Sequence, residues 1–157
     1  MANIVPNIAK GRVNELMIRV ATNDPANSAI VVLLLKASVS DAALRDFDDL
    51  RSLLADGGNT EADFTNYRRK VLTDSEVTAP TPDDDNDRQD ADLPDLTFAN
   101  AGGDTNNNLL KLIVAYDPNS TSGNDADIIP LSIQDFRATT DGNDLTATIN
   151  PGFFRAA

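Results

Sequence analysis

The stretch AIVVLLLK, residues 29–36, does most to limit the architecture: it is continuously apolar up to its last residue, partly β-branched and about as long as one strand. Such a strand has no polar face to turn to water, so it predicts a central position in a sheet that is covered on both sides. The same run falls far short of the roughly 20 apolar residues a membrane-spanning helix needs. The chain has 157 residues, and a domain of about that length buries roughly 70% of the surface its unfolded form exposes. One domain over residues 1–157 can therefore cover the strand without metal or disulfide staples.

The flanking patterns suggest what does the covering. Over residues 7–20, Ile8, Val13, Leu16, Met17 and Val20 recur at helical spacing, and Pro6 stands where a first turn tolerates it. After a turn cluster of Asn23, Asp24, Pro25 and Asn27 comes the apolar strand, then VSDAALRDFDDLRSLLADGG at residues 39–58. In that segment Leu44, Phe47, Leu50 and Leu54 form one stripe, which predicts a single helix capped by Ser40 or Asp41 and stopped in left-handed geometry by Gly57 and Gly58. From Thr65 the period becomes two, with Tyr67, Arg69 and Val71 alternating against Arg68, Lys70 and Leu72, the mark of an edge or half-exposed strand.

Residues 80–95, PTPDDDNDRQDADLPD, hold seven aspartates and one arginine and read as an exposed acidic loop. A short strand is expected at 96–99 and a longer one at 109–116, followed by the turn-rich AYDPNSTSGNDAD. The last third reads as a hairpin, with Ile129, Leu131 and Ile133 on one strand and Leu145, Ala147 and Ile149 on the other, joined by Asp141, Gly142 and Asn143. No internal repeat is visible. Together these predict an α+β fold: a mostly antiparallel β sheet or sandwich with two helices in the N-terminal part.

Composition removes much chemistry. Histidine and cysteine are absent, which takes away the usual general base near neutral pH, the imidazole and thiolate metal ligands and the Ser-His and Cys-His nucleophile pairs. Lys and Arg number 13 against 25 Asp and Glu, a net charge of −12 that repels nucleic acid and anionic membranes. No nucleic-acid partner, membrane partner or cofactor is expected. The opening MANIVPNIAK lacks the basic and apolar regions of a secretory signal, so synthesis in a cytosol is expected.

Five features invite a site. Asp83, Asp85 and Asp87 match the first three ligand positions of an EF-hand loop, but the sixth position is Arg88 and the twelfth is Pro94. A solvated loop fits better, with an irregular calcium site left open. Tyr67, Arg68, Arg69 and Lys70 form the one basic cluster and could suit phosphate or base stacking. In so acidic a chain, pairing with its own carboxylates or with an acidic neighbour is the better reading. Asp48 with Asp49, or Glu61 with Asp63, could supply two carboxyls for acid–base work, although abundant acid makes such pairs by chance. The glycine pairs at 57–58 and 102–103 lack phosphate-loop patterns and read as turns. Finally Phe153, Phe154 and Arg155, within a tail at residues 151–157, either fold back onto the chain's own core or anchor in a neighbouring subunit, with the arginine at the edge of the contact.

The segments NIAKGRVNEL, AIVVLLLK, DAALRDFDDL, TNYRRKVLTD, ADLPDLTFANAGG, LLKLIVAYDP, IIPLSIQDF, DGNDLTATI and GFFRA, taken in this order, resemble a family of small structural proteins in tailed-bacteriophage virions. The likeness spans nearly the whole chain and is most specific over residues 92–99, 112–117 and 141–156. It implies a non-enzymatic particle component with no catalytic residues to carry over: a capsid decoration or minor capsid protein, made in the host bacterial cytoplasm and located in the virion. Its expected partners are other virion proteins, the major capsid protein first, and further copies of itself around a closed axis such as a trimer's. Tyr67, Arg68, Arg69, Phe153, Phe154 and Arg155 are the interface residues that the cluster and the tail supply. Head and tail locations both stay open. The alternative is a receptor- or carbohydrate-binding module of a tail or fibre, assisted by calcium on the acidic loop, and a carboxylate hydrolase comes third.

Overall fold

The computed structural model of the chain describes residues 3–149 and 152–156. At its centre is β1 (Ala29–Ala37), in which residues 29 to 35 are each at most 3% exposed, so the apolar run is covered on both faces. β1 pairs antiparallel with β7 (Asn108–Asp117), from Ala29 opposite Asp117 to Leu35 opposite Lys111. β7 pairs in turn with β8 (Ile129–Thr139). On its other edge β1 has two short partners, β3 (Lys70–Leu72) beside Ile30, Val31 and Val32, and β2 (Thr60–Glu61) beside Leu35 and Ala37.

The alternation of side chains along these strands divides the interior in two. Ile30, Val32 and Leu34 join Leu112, Val114 and Tyr116 in the larger core, while Leu33 and Leu35 join Ile113 and Ala115 in the smaller one. The larger core is roofed by α1 (Val13–Ala21), which buries Val13, Leu16, Met17 and Val20. Two small sheets complete that roof. In one, β5 (Arg88–Ala91) lies between β4 (Pro82–Asp83) and β10 (Phe154–Ala156); in the other, β6 (Leu96–Phe98) pairs with β9 (Leu145–Ala147). The smaller core is closed by α2 (Asp41–Leu44) and α3 (Leu50–Ala55) through fully buried Leu44, Leu50 and Leu53. Each such leucine contributes about 1.5–3 kcal/mol by leaving water. The fold is α+β and mostly antiparallel, with its helices between residues 13 and 55.

Several local expectations are corrected. The first helix begins at Val13 rather than residue 7, because Gly11 takes φ +77° between it and a 3-10 turn at Asn7–Ala9. The helix expected over 39–58 is two helices. Ser40 caps the first as foreseen, but the Arg45 carbonyl accepts from Asn7 N at 2.8 Å and the Leu50 N–H donates to Ile128 O at 2.9 Å. Asp49 Oδ1 then restarts the helix by accepting from Ser52 N at 2.8 Å. Tertiary hydrogen bonds thus outcompete a continuous stripe. Gly57 and Gly58 do not take the left-handed stop, since α3 ends where Asp56 turns extended at ψ 124°. Gly58 instead makes room for Val39, whose Cγ1 would lie 2.4 Å from an added Cβ.

The strand expected from Thr65 shortens to Lys70–Leu72, because Thr65 N is bound to Thr105 O and Tyr67 N to Phe64 O in a turn. The acidic loop is not an open loop: Asn86 Nδ2 bridges both Asp83 oxygens, and Asp87 at φ +50° helps turn β4 into β5. The terminal hairpin does not close on itself. Ala101 N bonds Asn143 O, and Gly142 N bonds Ala101 O, so the turn is tied to residue 101 and β9 is delivered to β6, with Ala147 opposite Leu96.

Candidate interaction surface

The basic cluster is drawn into the sheet. Between the short strands β3 and β2 the edge of β1 has a gap at Leu34, whose carbonyl accepts from Ala62 N at 2.8 Å. The Leu34 N–H donates to the hydroxyl of Tyr67 at 3.1 Å, and that hydroxyl donates to Glu61 Oε1 at 2.9 Å. A side chain here replaces a missing strand. The Tyr67 ring stacks on Phe98 with centroids 6.3 Å apart and meets Phe64 edge-on at 5.1 Å. Burial, then the charge of Glu61, pushes its phenol well above the ordinary range.

Arg69 forks two ways, to Glu61 at 2.8 and 2.7 Å and to Asp125 at 2.6 and 3.0 Å. Its hydrogen bond to Glu61 leads the causes that raise its pKa, so the guanidinium stays charged. Lys70 Nζ lies 5.0 Å over the Phe98 ring. Within Tyr67–Lys70 the residue left exposed is Arg68.

The C-terminal candidates divide by residue. Phe153 is 4% exposed and belongs to the larger core. Its N–H donates to Ala91 O at 3.0 Å, and its carbonyl accepts from Gln134 Nε2 at 3.3 Å and Ser132 Oγ at 3.5 Å. This side chain caps its own core. Gly152 enters at φ +114°, where an added Cβ would lie 2.7 Å from Ala91 O. β10 then pairs with β5, placing Phe154 opposite Ala91 and Arg155 opposite Asp90.

Phe154 is half-buried against the core rim and Arg155 is exposed. Arg155 grips the Asp90 carboxylate through Nε at 2.7 Å and Nη2 at 3.1 Å, and holds that carboxyl below its usual range. Arg88 stands 3.3 Å from both Asp83 and Asp90. Asn3, Asp90 and residues 152 to 155 line a shallow cavity of about 190 Å³. Asn150, Pro151 and Ala157 lie outside the described residues.

Four of the seven acidic candidates are spent on structure, while Asp85 and Asp87 lie exposed. Asp83 is engaged by Asn86 and Arg88, and the described residues contain no group of three side chains placed to hold a metal ion. Asp49 caps α3, while Asp48 is exposed. Glu61 serves Tyr67 and Arg69; Asp63 meets Lys36 at 2.6 Å and Asn107 at 2.9 Å, which hold its carboxyl below the ordinary range. A general acid needs the opposite shift. Burial does push the Asp117 carboxyl upward, but it accepts from Asn119 N in a tight turn.

Sequence reasoning did not single out Lys111, whose ammonium lies 2.6 Å from Asp41 and 2.5 Å from Asp135 with its side chain only 9% exposed. Burial opposes that charge, but the two carboxylates outweigh it and raise the pKa. The triad seals the smaller core beside the first turn of α2. Its visible signal was a lysine inside the apolar run LLKLIVAY. Asp90, Asp125 and Gln134 carried no local signal for these contacts, since Arg155, Arg69 and Phe153 lie 65, 56 and 19 residues from them. No family model matches the chain, and comparison with curated proteins and with solved structures likewise returns no match.

Proposed function

We propose that the chain is a non-enzymatic structural protein of a tailed-bacteriophage virion, a capsid-associated decoration or minor capsid protein that acts through protein–protein contacts. Its partners on this reading are the major capsid protein, other virion proteins and further copies of itself. The likeness of its segments to virion proteins supports this. The observation that carries it is the distribution of sheet edges: the three-stranded sheet ends on β10 and β4, short strands whose outer edges have no strand partner among the described residues. Such edges suit addition to a neighbouring chain. Asp49, Glu61 and Asp63, three of the four carboxylates of the candidate acid–base pairs, are by contrast committed to a cap and to ion pairs.

The test is to purify particles from a lysate of the host that carries the gene and to look for this chain by mass spectrometry, then to mix the purified protein with shells that lack it. Co-sedimentation with the shells at a fixed stoichiometry is expected. A chain absent from particles, indifferent to shells and monomeric in solution overturns the proposal.

A further inference from the structure

Residues 152–156 are held as a bound peptide is held. Backbone pairing runs along β5 from Ala91 to Gln89, Phe153 fills a site in the larger core, Gln134 and Ser132 donate to the Phe153 carbonyl, and Asp90 receives Arg155 through two hydrogen bonds. These hydrogen bonds go to residues 89–91 and 132–134, not to β9, which precedes the segment in the chain. The receiving surface is complementary in charge at Asp90, which takes Arg155, the one charged side chain of the segment, while Asp83 on the far side of β5 is paired with Arg88. Every copy of the chain carries both the segment and the surface that receives it.

We infer that this surface is a binding site for the Gly-Phe-Phe-Arg-Ala segment of a second copy, so that neighbouring chains can exchange β10. Exchange remakes the same contacts in both copies and is close to neutral in energy, which is why terminal elements are the usual currency of domain swapping. What opposes it is the proximity of the chain's own segment, equivalent to an effective concentration on the order of millimolar. Copies packed on a particle approach that concentration, and in this respect the inference rests on the structural-protein reading. It names the partner as a second copy and the contact as β10 on β5.

The test uses two full-length variants, Asp90→Arg and Arg155→Asp. Each alone sets like charges against each other when its own segment docks. In an exchanged pair both clamps are restored, one in native polarity and one reversed. Mixing the variants at high concentration is expected to give a species of twice the 16.8 kDa chain mass that contains one of each, by native mass spectrometry. The double variant D90R/R155D restores its own clamp and remains unmixed.

A mixture that stays two separate monomers, while the double variant regains the wild-type melting temperature, overturns the inference: the clamp then works only within one chain. Should Asp90→Arg fail to fold, a fluorescent GFFRA peptide is titrated onto Arg155→Asp and onto the wild type. At least tenfold tighter binding to the variant supports exchange, and equal binding refutes it. Neither refutation touches particle incorporation, which is read separately.

Discussion

Replacing Tyr67 by phenylalanine isolates one atom of the fold. The ring keeps its place against Phe98 and Phe64, so no cavity opens. What is lost is the acceptor for the Leu34 N–H, in a residue that is 0% exposed and beyond the reach of water. A buried donor left without a partner costs about 1–3 kcal/mol. Glu61 Oε1 loses a donor as well, but it keeps Arg69 Nε at 2.8 Å, so this contribution is minor. For a chain of this length about 1 kcal/mol moves Tm by roughly 2–4 °C, giving an expected drop of about 2–12 °C. Circular dichroism during guanidinium unfolding measures the change, with the denaturant slope unaltered because the same surface is exposed. Hydrogen exchange at the Leu34 amide locates it. A loss under about 0.5 kcal/mol with Leu34 exchange unchanged would falsify the claim that this hydroxyl closes the edge of β1.

Three further outcomes are expected. Phe153→Ala empties a 4% exposed site in the larger core and costs about 3–5 kcal/mol in chemical denaturation, against a much smaller loss for half-buried Phe154→Ala; equal losses would contradict the division of the tail. Asp117→Asn raises stability at pH 7, because burial lifts the Asp117 pKa in the fold, so its ionised form is what costs stability; the gain shrinks as pH falls through that raised pKa, and melting curves at pH 7 and pH 3.5 that shift equally would contradict this. Millimolar calcium leaves Tm unchanged, since Asp83 already serves Asn86 and Arg88; a saturable rise abolished by Asp85→Asn and Asp87→Asn would revive the calcium reading.

Much of the fold was legible wherever one short window decided burial. AIVVLLLK and LLKLIVAY announced β1 and β7 because both faces of each are covered, and the stripe of Val13, Leu16, Met17 and Val20 announced α1. Windows failed where a distant backbone group settled the outcome. Asn7 took the carbonyl of Arg45 and split a helix; the segment at 154–156 paired with residues 89–91 of the aspartate run; residue 101 diverted β9 from β8 to β6. Among the site candidates, Tyr67, Arg69, Phe153 and Arg155 stood out because aromatic and basic residues are scarce in this chain. Their partners Asp125 and Asp90 did not, being two among 25 acidic residues with nothing local to distinguish them, and Glu61 was noticed only beside Asp63 as a carboxylate pair, not as the partner of Tyr67 and Arg69.

The pairing of β1 with β7 also sets a timetable. Val31 meets Ala115, so on the ribosome the stickiest part of the nascent chain waits roughly eighty residues for its longest partner. At about 5–20 residues per second that interval is about 4–16 s. Until then the stretch has only the short strands β2 and β3 to pair with, so it is during synthesis that its apolar surface is open to aggregation.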